Sequence, residues 1–321
     1  MITFYLHQEI NKEKWNAAIA RSAYPTLFAD YDFLTFASPD WNALIEDDYV
    51  AVMPLPTRSK MGIRYLFTPY AFSKLGIFAP QPIPEARTEA FINAIPSDYK
   101  QIDLCLNPTN AFDLEREGVT TRVLHQLDLS KDYETLWHGF SENTRRNIKA
   151  SEKCDLHLTD EVTIADIVRL FRQNKGNELQ VSARPADYDF FEKSAEYARA
   201  NGWLQLLGVR NVNGELLAGG CFLQDKTCYR FWFSGRDFAY AKERPLFFLM
   251  NEFVKQHQNE EKWLDFEGST DENVARFYHG FGGEKVCYPM LTMSRSPLLR
   301  KALNFYRWFR KYWGPAKYCP K

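Results

Sequence analysis

The 321-residue chain has few of the residues that build metal and redox sites, and those few lack the usual spacings. Its six cysteines contain no CxxC pair and its six histidines contain no HxxxH or HxH motif, so we expect no metal site. Cys105 and Cys221 stand in apolar, strand-like runs. Buried, reduced thiols of this kind are typical of a cytoplasmic protein rather than of one in an oxidising compartment.

Long apolar segments and an excess of charge of one sign are also absent. No window of about 18 apolar residues occurs, so the sequence predicts no membrane-spanning helix. The first residues, MITFYLHQEINKEKW, lack the cationic start and the apolar run of a signal peptide. Because the formal net charge is −1, no field of the whole protein attracts nucleic acid or a membrane, and any polyanion site must be a local patch.

The composition, 45% apolar and 25% charged, is that of a globular protein with a sizeable core. From Asp155 onward, the periodicity predicts the order strand, helix, helix, three strands, helix, strand, helix, strand. The Asn211–Gly214 turn makes the first two of the three consecutive strands an antiparallel hairpin. This order predicts an α/β fold of the mixed α+β kind, in which a mixed sheet is flanked by helices.

The first third of the chain shows a shorter version of this alternation, so we expect two tandem copies of the fold. The predicted domains are an N-terminal domain over 1–128, a C-terminal domain over 129–296 and a tail helix over 297–321. No acidic residue follows Glu284, and the tail interleaves Lys and Arg with aromatic residues. Such a helix can contact the inner face of a membrane or an RNA backbone, or it can dock on its own domain.

The most conspicuous segment is LDFEGSTDENVARFYHGFGG, which covers 264–283. Asp265 and Glu267 would share one face of a strand near its C-terminal end, where a carboxylate can take a proton from an attacking ammonium. Each of them can equally cap the next helix or face solvent. Tyr278 is a candidate acid or orienting group beside them. The glycines of the segment indicate close packing rather than a phosphate cradle.

A second candidate site is the basic cluster of Arg145, Arg146 and Lys149, which follows the predicted N-cap Ser141 on one or two helical turns. A charge run of this kind is usually a solvated helix face. The alternative is a clamp for the phosphates of a donor or of a nucleotide-linked acceptor.

Four stretches in this order resemble the GNAT superfamily of acyltransferases, in particular the branch related to the FemAB/FemX peptidoglycan-bridge aminoacyltransferases. They are VAVMPLPTRSKMGIRYLFTPYAFSKLGIFAP, LWHGFSENTRRNIKASEK, LLAGGCFLQDKTCYRFWFSG and the acidic segment quoted above. The resemblance implies tandem GNAT-like domains, an acyl or aminoacyl donor, a primary-amine acceptor, no metal and no permanently bound cofactor. Acyl-CoA or aminoacyl-tRNA would be the co-substrate.

Two departures from the family pattern bear on the donor. GNAT enzymes that use acetyl-CoA have a glycine-rich loop after the three consecutive antiparallel strands, the meander. This chain has no glycine between Gly235 and Gly268. Side-chain cations would replace the loop, and the candidates are Arg236, Lys242 and Arg244. Fem-type enzymes lack the loop as well, but they have Phe-Lys where this chain has Phe277–Tyr278, which leaves the donor and the acceptor open.

The sequence therefore predicts a bacterial, cytoplasmic N-acyltransferase that acts by direct transfer to a primary amine, in cell-wall or surface-glycan metabolism. Asp265, Glu267 and Tyr278 are the predicted catalytic residues. The predicted substrate-binding residues are Arg145, Arg146, Lys149, Phe277, Arg236, Lys242 and Arg244. The alternative is a catalytically inactive GNAT-like module that binds RNA or an anionic lipid-linked ligand.

Overall fold

A computed structural model describes residues 1–173, 185–268, 272–301 and 305. The strands are β1 Ile2–Tyr5, β2 Asn42–Glu46, β3 Ala51–Leu55, β4 Thr57–Lys60, β5 Ile63–Leu66, β6 Tyr99–Cys105, β7 Val119–Asp128, β8 His157–Thr159, β9 Leu204–Arg210, β10 Leu216–Gln224, β11 Cys228–Arg236, β12 Trp263–Gly268 and β13 Glu284–Ser294. The helices are α1 Lys12–Ala20, α2 Tyr31–Ala37, α3 Glu85–Ala94, α4 Tyr133–Gly139, α5 Glu142–Ser151, α6 Ile164–Gln173, α7 Pro185–Ala200, α8 Pro245–His257 and α9 Glu272–Gly280.

The chain divides into two compact units. Unit 1 comprises Met1–Arg122 and the described residues from Cys287 onward, and unit 2 comprises Val123–Val286. The division predicted from the sequence, after residues 128 and 296, remains a prediction, as does the tandem repeat. The predicted tail helix over 297–321 lies almost wholly outside the described residues.

Unit 1 is built on an antiparallel sheet in the order β1–β2–β3 and on strands β4, β5, β6 and the end of β13. Its first helix, α1, begins at the N-cap Asn11, whose side chain accepts a hydrogen bond from the Lys14 N–H. The α1 residue Trp15 is fully buried, and its ring lies 4.7 Å from that of Trp41. The core of unit 1 is therefore formed around aromatic side chains between the helices and the sheet.

Unit 2 contains the predicted mixed sheet, in the order β7–β12–β11–β10–β9–β8. Strands β9, β10 and β11 form the antiparallel meander, and the predicted hairpin between β9 and β10 is confirmed. Strand β12 pairs in parallel with β11 and antiparallel with β7. β7 is missing from the sequence prediction, because the polar pair His125–Gln126 interrupts the alternation of its segment, VTTRVLHQLD.

Helices cover both faces of the unit 2 sheet. A Cβ atom on Gly219 would lie 2.7 Å from Ile167 of α6, and one on Gly220 would lie 3.5 Å from Leu249 of α8. Because consecutive strand residues face opposite sides, α6 and α8 lie on opposite faces. On the α8 side, Phe222 and Phe253 stack with centroids 4.0 Å apart in the core.

Candidate active site

Strands β11 and β12 of unit 2 separate after a short parallel pairing. The pairing joins Cys228 with Trp263, and it ends at Arg230 and Asp265. Beyond that point, β11 runs on to Arg236 and β12 to Gly268. The two strands are therefore not paired with each other at their C-terminal ends, and this unpaired region is hereafter called the β11–β12 opening. Ligands in α/β sheets bind outside the carboxyl ends of strands.

A β-bulge in β11 lies beside this opening. In the pairing with β10, Cys221 faces Phe233 and the next residue, Phe222, faces Phe231, so Trp232 is an extra residue of β11. A bulge bends the strand and changes the direction of its backbone groups. Backbone N–H groups directed at an opening are suited to polarising a carbonyl oxygen.

Strand β12 contains an irregularity as well, at its two acids. Its register against β7 shifts between Asp265 and Gly268, and Glu267 has a φ of +59°. The alternation that would place Asp265 and Glu267 on one face therefore does not continue through Glu267. Asp265 is 0% exposed, whereas Glu267 is partly exposed.

The Asp265 carboxylate is bound inside the protein. Its Oδ1 accepts a hydrogen bond of 2.7 Å from the Glu267 N–H, and its Oδ2 accepts one of 3.3 Å from the Gln126 side chain. Its strand neighbour is Arg230, which is 1% exposed and donates to Asp225 over 2.5 Å. Burial alone would raise the pKa of Asp225, but the Arg230 charge and hydrogen bonds keep it below its ordinary value.

Tyr278 of α9 lies against both strands of the opening. Its ring stacks on Phe266 of β12 at 5.3 Å and 24°, and it meets Phe231 of β11 edge-on at 6.3 Å. Because Phe266 follows Asp265 in the strand, Tyr278 lies on the sheet face opposite the Asp265 side chain. Its neighbour Phe277 packs edge-on against Phe247 at 4.8 Å, and both are partly buried against the hydrophobic core.

The end of α9 meets the start of α5 through backbone atoms. The Gly280 carbonyl accepts a hydrogen bond of 2.8 Å from the Ser141 N–H, and a Cβ atom on Gly280 would collide with the Thr144 hydroxyl. The glycines of this segment serve close packing, as predicted. The predicted N-cap Ser141 is also confirmed, since its hydroxyl accepts from the Thr144 N–H.

The cations of α5 line a groove of about 470 Å³ on the surface of unit 2. Arg145 donates to the carbonyls of Trp137 and His138, and Arg146 donates to the Asn143 side chain over 2.9 Å. The groove is lined by Glu142, Arg145, Arg146, Lys149, Ala150 and Lys153. Among the described residues, none of these four cations forms a salt bridge.

The three cations that follow the meander lie in different places. Arg244 is the N-cap residue of α8 and has a φ of +53°, and its Nε donates to Asn147 of α5 over 2.6 Å. Arg236 lies over the Phe238 ring at 4.8 Å, and Lys242 is exposed. The structure therefore brings Arg244 to α5. No described contact joins the α5 cations to Asp265 or Glu267.

Three polar residues of this region, two of them buried, are absent from the sequence prediction. Buried Arg230 pairs with Asp225, and partly buried Gln126 donates to Asp265, as described above. His125 of β7 is buried, and its ring centroid lies 5.8 Å from that of His279. Burial lowers the pKa of His125, and the charges of His279 and Lys285 act in the same direction, whereas Asp265 opposes them. Two sequence features could have indicated these residues: a lone arginine in the aromatic strand YRFWF, and a polar pair in VLHQL.

Two absences hold within the described residues. No group of His, Cys, Asp or Glu side chains there is arranged to hold a metal ion. None of the described helices has both the length and the apolar character needed to cross a membrane.

Part of the chain matches an acetyltransferase family, and the fold is similar to those of solved structures. Residues 139–272 match the family model of the Acetyltransferase (GNAT) domain. The crystal structure of FemX is 11% identical, with a TM-score of 0.64, and the match covers 92% of this chain and 98% of FemX. A conserved protein of unknown function from Bacteroides thetaiotaomicron VPI-5482 is 12% identical, with a TM-score of 0.55 and coverage of 92% and 100%. L-PGS from Bacillus licheniformis is 11% identical, with a TM-score of 0.50 and coverage of 92% and 96%.

Among curated proteins, none matches the chain. The family match falls on the part of unit 2 that contains α5, the meander and β12. Residues 139–272 thus match a GNAT-type acetyltransferase domain within a FemX-like fold, and this match supports an acyltransferase.

Proposed function

We propose that this chain moves an acyl or aminoacyl group from an activated donor to a primary amine by direct transfer. The observation that supports this most is the β11–β12 opening, which has a bulge at Trp232 on one strand and Glu267 on the other. A carbonyl polarised by backbone N–H groups and a nearby base are the two elements that aminolysis of a thioester or ester needs.

In the proposed reaction, the neutral amine attacks the donor carbonyl and forms the new C–N bond. Glu267 takes the proton that the amine nitrogen loses, and the thiolate or alkoxide of the donor leaves with the electron pair of the broken bond. The Tyr278 hydroxyl is suited to protonating or orienting this leaving group. The thiol of Cys221 is buried and its pKa is raised, so it does not serve as the nucleophile of a covalent intermediate.

The groove on α5 is the proposed phosphate site. Acyl-CoA and aminoacyl-tRNA, the two donors that we consider, both carry phosphates, and so does a nucleotide-linked acceptor. Four cations without an acidic partner among the described residues provide charge-assisted hydrogen bonds for such a group. Neither donor is bound permanently in this proposal. The sequence resemblance to the FemAB/FemX branch makes cell-wall or surface-glycan amines the first acceptors to test.

A test replaces the proposed base. Glu267→Gln removes the proton acceptor and preserves the size of the side chain, so turnover with amine acceptors should fall by about 100-fold or more. Glu272→Gln, an exposed acid in the first turn of α9, is the matched control and should keep the wild-type rate. A Glu267→Gln variant with wild-type turnover would remove Glu267 from the mechanism.

The second candidate function is a binding module without chemistry, and the α5 cations favour it. Such a module would hold RNA or an anionic lipid-linked ligand through the groove, with the cationic tail as a further contact at the inner membrane face. Thermal-shift measurements with CoA thioesters, tRNA and UDP-sugar peptides distinguish the two. Stabilisation by a thioester with acyl transfer favours the enzyme, whereas salt-sensitive polyanion binding without transfer favours the module.

A further inference from the structure

We propose that Asp265 is a positioning residue: it holds Glu267 in a left-handed backbone conformation and thereby aims the Glu267 carboxylate at the β11–β12 opening. This inference rests on the proposed function, since it takes Glu267 as the base. It gives the two acids of the segment different tasks. Glu267 acts on the substrate, and Asp265 acts on the backbone of Glu267.

The backbone of Glu267 is the first observation. A φ of +59° lies in the region that residues with a Cβ atom rarely adopt. Glycine adopts it freely, and the next residue is Gly268. The chain nevertheless has a long acidic side chain at the strained position. Backbone strain of this kind concentrates at functional sites and persists only where the surroundings maintain it.

The extra residue in β12 is the second observation. Between the pairs that β12 forms at Asp265 and at Gly268, it has two residues where β7 has only His125. A bulge of this kind redirects the side chain that it carries. The direction of the Glu267 side chain is therefore set by the local turn rather than by the regular alternation of a strand.

The third observation is the hydrogen bond that closes the turn. The Asp265 Oδ1 accepts from the Glu267 N–H at 2.7 Å, and the Asp265 side chain is fully buried. A carboxylate bound to the N–H two residues later stabilises a turn between them. Charge-assisted bonds of this kind are stronger where water is excluded. Gln126 donates to the other oxygen, Oδ2, and so fixes the carboxylate plane.

Asp265 and Glu267 differ in their exposure to solvent. Asp265 has no exposed surface, and both of its oxygens already accept hydrogen bonds from the protein. A substrate amine would have to displace one of these bonds to reach it. Glu267 is partly exposed at the end of the strand, although its Oε1 is buried, and this exposure suits contact with a substrate.

The experiment compares two replacements of Asp265. Asp265→Asn keeps an oxygen acceptor for the Glu267 N–H, so kcat should stay within about fivefold of wild type. Asp265→Ala removes the acceptor, so kcat should fall by about 100-fold while the KM for the donor stays unchanged. In a Glu267→Gly background, Asp265→Ala should cause no further loss of kcat, because the residue through which it acts is gone. Further loss there would overturn the proposal.

A second readout does not depend on activity. Hydrogen exchange of the Glu267 amide, followed by NMR, should be at least tenfold faster in Asp265→Ala than in wild type and unchanged in Asp265→Asn. Should the wild-type protein transfer no acyl group, the proposed function fails, but this measurement still tests the turn. Wild-type exchange in the alanine variant, or an asparagine variant as inactive as the alanine one, would overturn the positioning role.

A third comparison applies if the alanine variant does not fold. Glycine accepts a φ of +59° whereas alanine does not, so Glu267→Gly should have a higher Tm than Glu267→Ala, by several degrees. This order is the reverse of the usual one in a strand, where glycine is the weaker residue. An equal or lower Tm for the glycine variant would contradict a strained turn at Glu267.

Discussion

The rings of Phe266 and Tyr278 stack with their centroids 5.3 Å apart and their planes at 24°. This contact fixes α9 over the strand that carries both acids of the candidate site. The phenol ring of Tyr278 therefore packs against the core of unit 2, while its hydroxyl is the group that we propose to act in catalysis.

Removing only the hydroxyl separates these two contributions. Tyr278→Phe preserves the stack, so the free energy of unfolding should change by less than about 1 kcal/mol. If the hydroxyl assists the leaving group, kcat should fall by about tenfold or more. Urea unfolding and steady-state kinetics give the two numbers. Tyr278→Ala, as the comparison, should also lose about 2–4 kcal/mol of stability, since it deletes the ring. A fully active phenylalanine variant would leave Tyr278 with packing alone.

Reversing one charge in the α5 groove should weaken polyanion binding. Lys149→Glu adds repulsion in a groove that also contains Arg145, Arg146 and Lys153. We expect the Kd for a phosphate-bearing ligand to rise by about tenfold at low salt, with a shallower salt dependence. Titrations with CoA and with tRNA at several salt concentrations check this. Lys226→Glu, an exposed change in the β10–β11 turn, is the control. An equal effect of both variants would indicate a general charge effect instead of a site.

His125 should make stability depend on pH. Burial lowers the pKa of His125, so the unfolded chain binds a proton more readily than the folded one. Stability should therefore fall as the pH drops below the ordinary histidine value of about 6.5 and continue to fall until the folded-state value is passed. His125→Gln should flatten this slope. Urea unfolding at pH values between about 7.5 and 5 measures it, with exposed His157→Gln as the control. A wild-type slope in His125→Gln would exclude His125 as the cause.

Gly235 should tolerate no side chain. A Cβ atom there would lie 2.6 Å from the Phe171 N and 2.9 Å from Leu170, both in α6. Gly235→Ala should therefore cost about 1–3 kcal/mol in the free energy of unfolding. Gly139→Ala is a matched control, since no atom lies within 4 Å of its added Cβ and alanine favours the helix. Thermal unfolding of the two variants should shift Tm in opposite directions. A neutral Gly235→Ala would mean that α6 moves easily away from the sheet.

Local patterns were sufficient for most elements of unit 2. The meander of β9, β10 and β11 and the caps of α5 and α6 depend on neighbours only a few residues apart. The Ser141 hydroxyl accepts from the Thr144 N–H, and Thr163 and Asp166, three residues apart, bond each other at the start of α6. Strand β7 could not be predicted in this way, because a polar pair interrupts its alternation and its burial depends on partners distant in sequence.

The candidate site was only partly predictable. The glycines after Tyr278 and the cations of α5 stand out by composition, and the structure joins their two segments where Gly280 meets Ser141 and Thr144. The different environments of Asp265 and Glu267 do not follow from their spacing, since a regular strand would have given them one face.

The sequence by itself determined the order of strands and helices from β8 onward, because periodicity, caps and turns are set by residues close together in the chain. The tertiary structure alone decided the bulge at Trp232, the left-handed turn at Glu267 and the buried bonds of Asp265. Each of these depends on which strand lies beside which and in what register. That register is set by packing between segments more than a hundred residues apart, such as β7 and β12, and no local pattern encodes it.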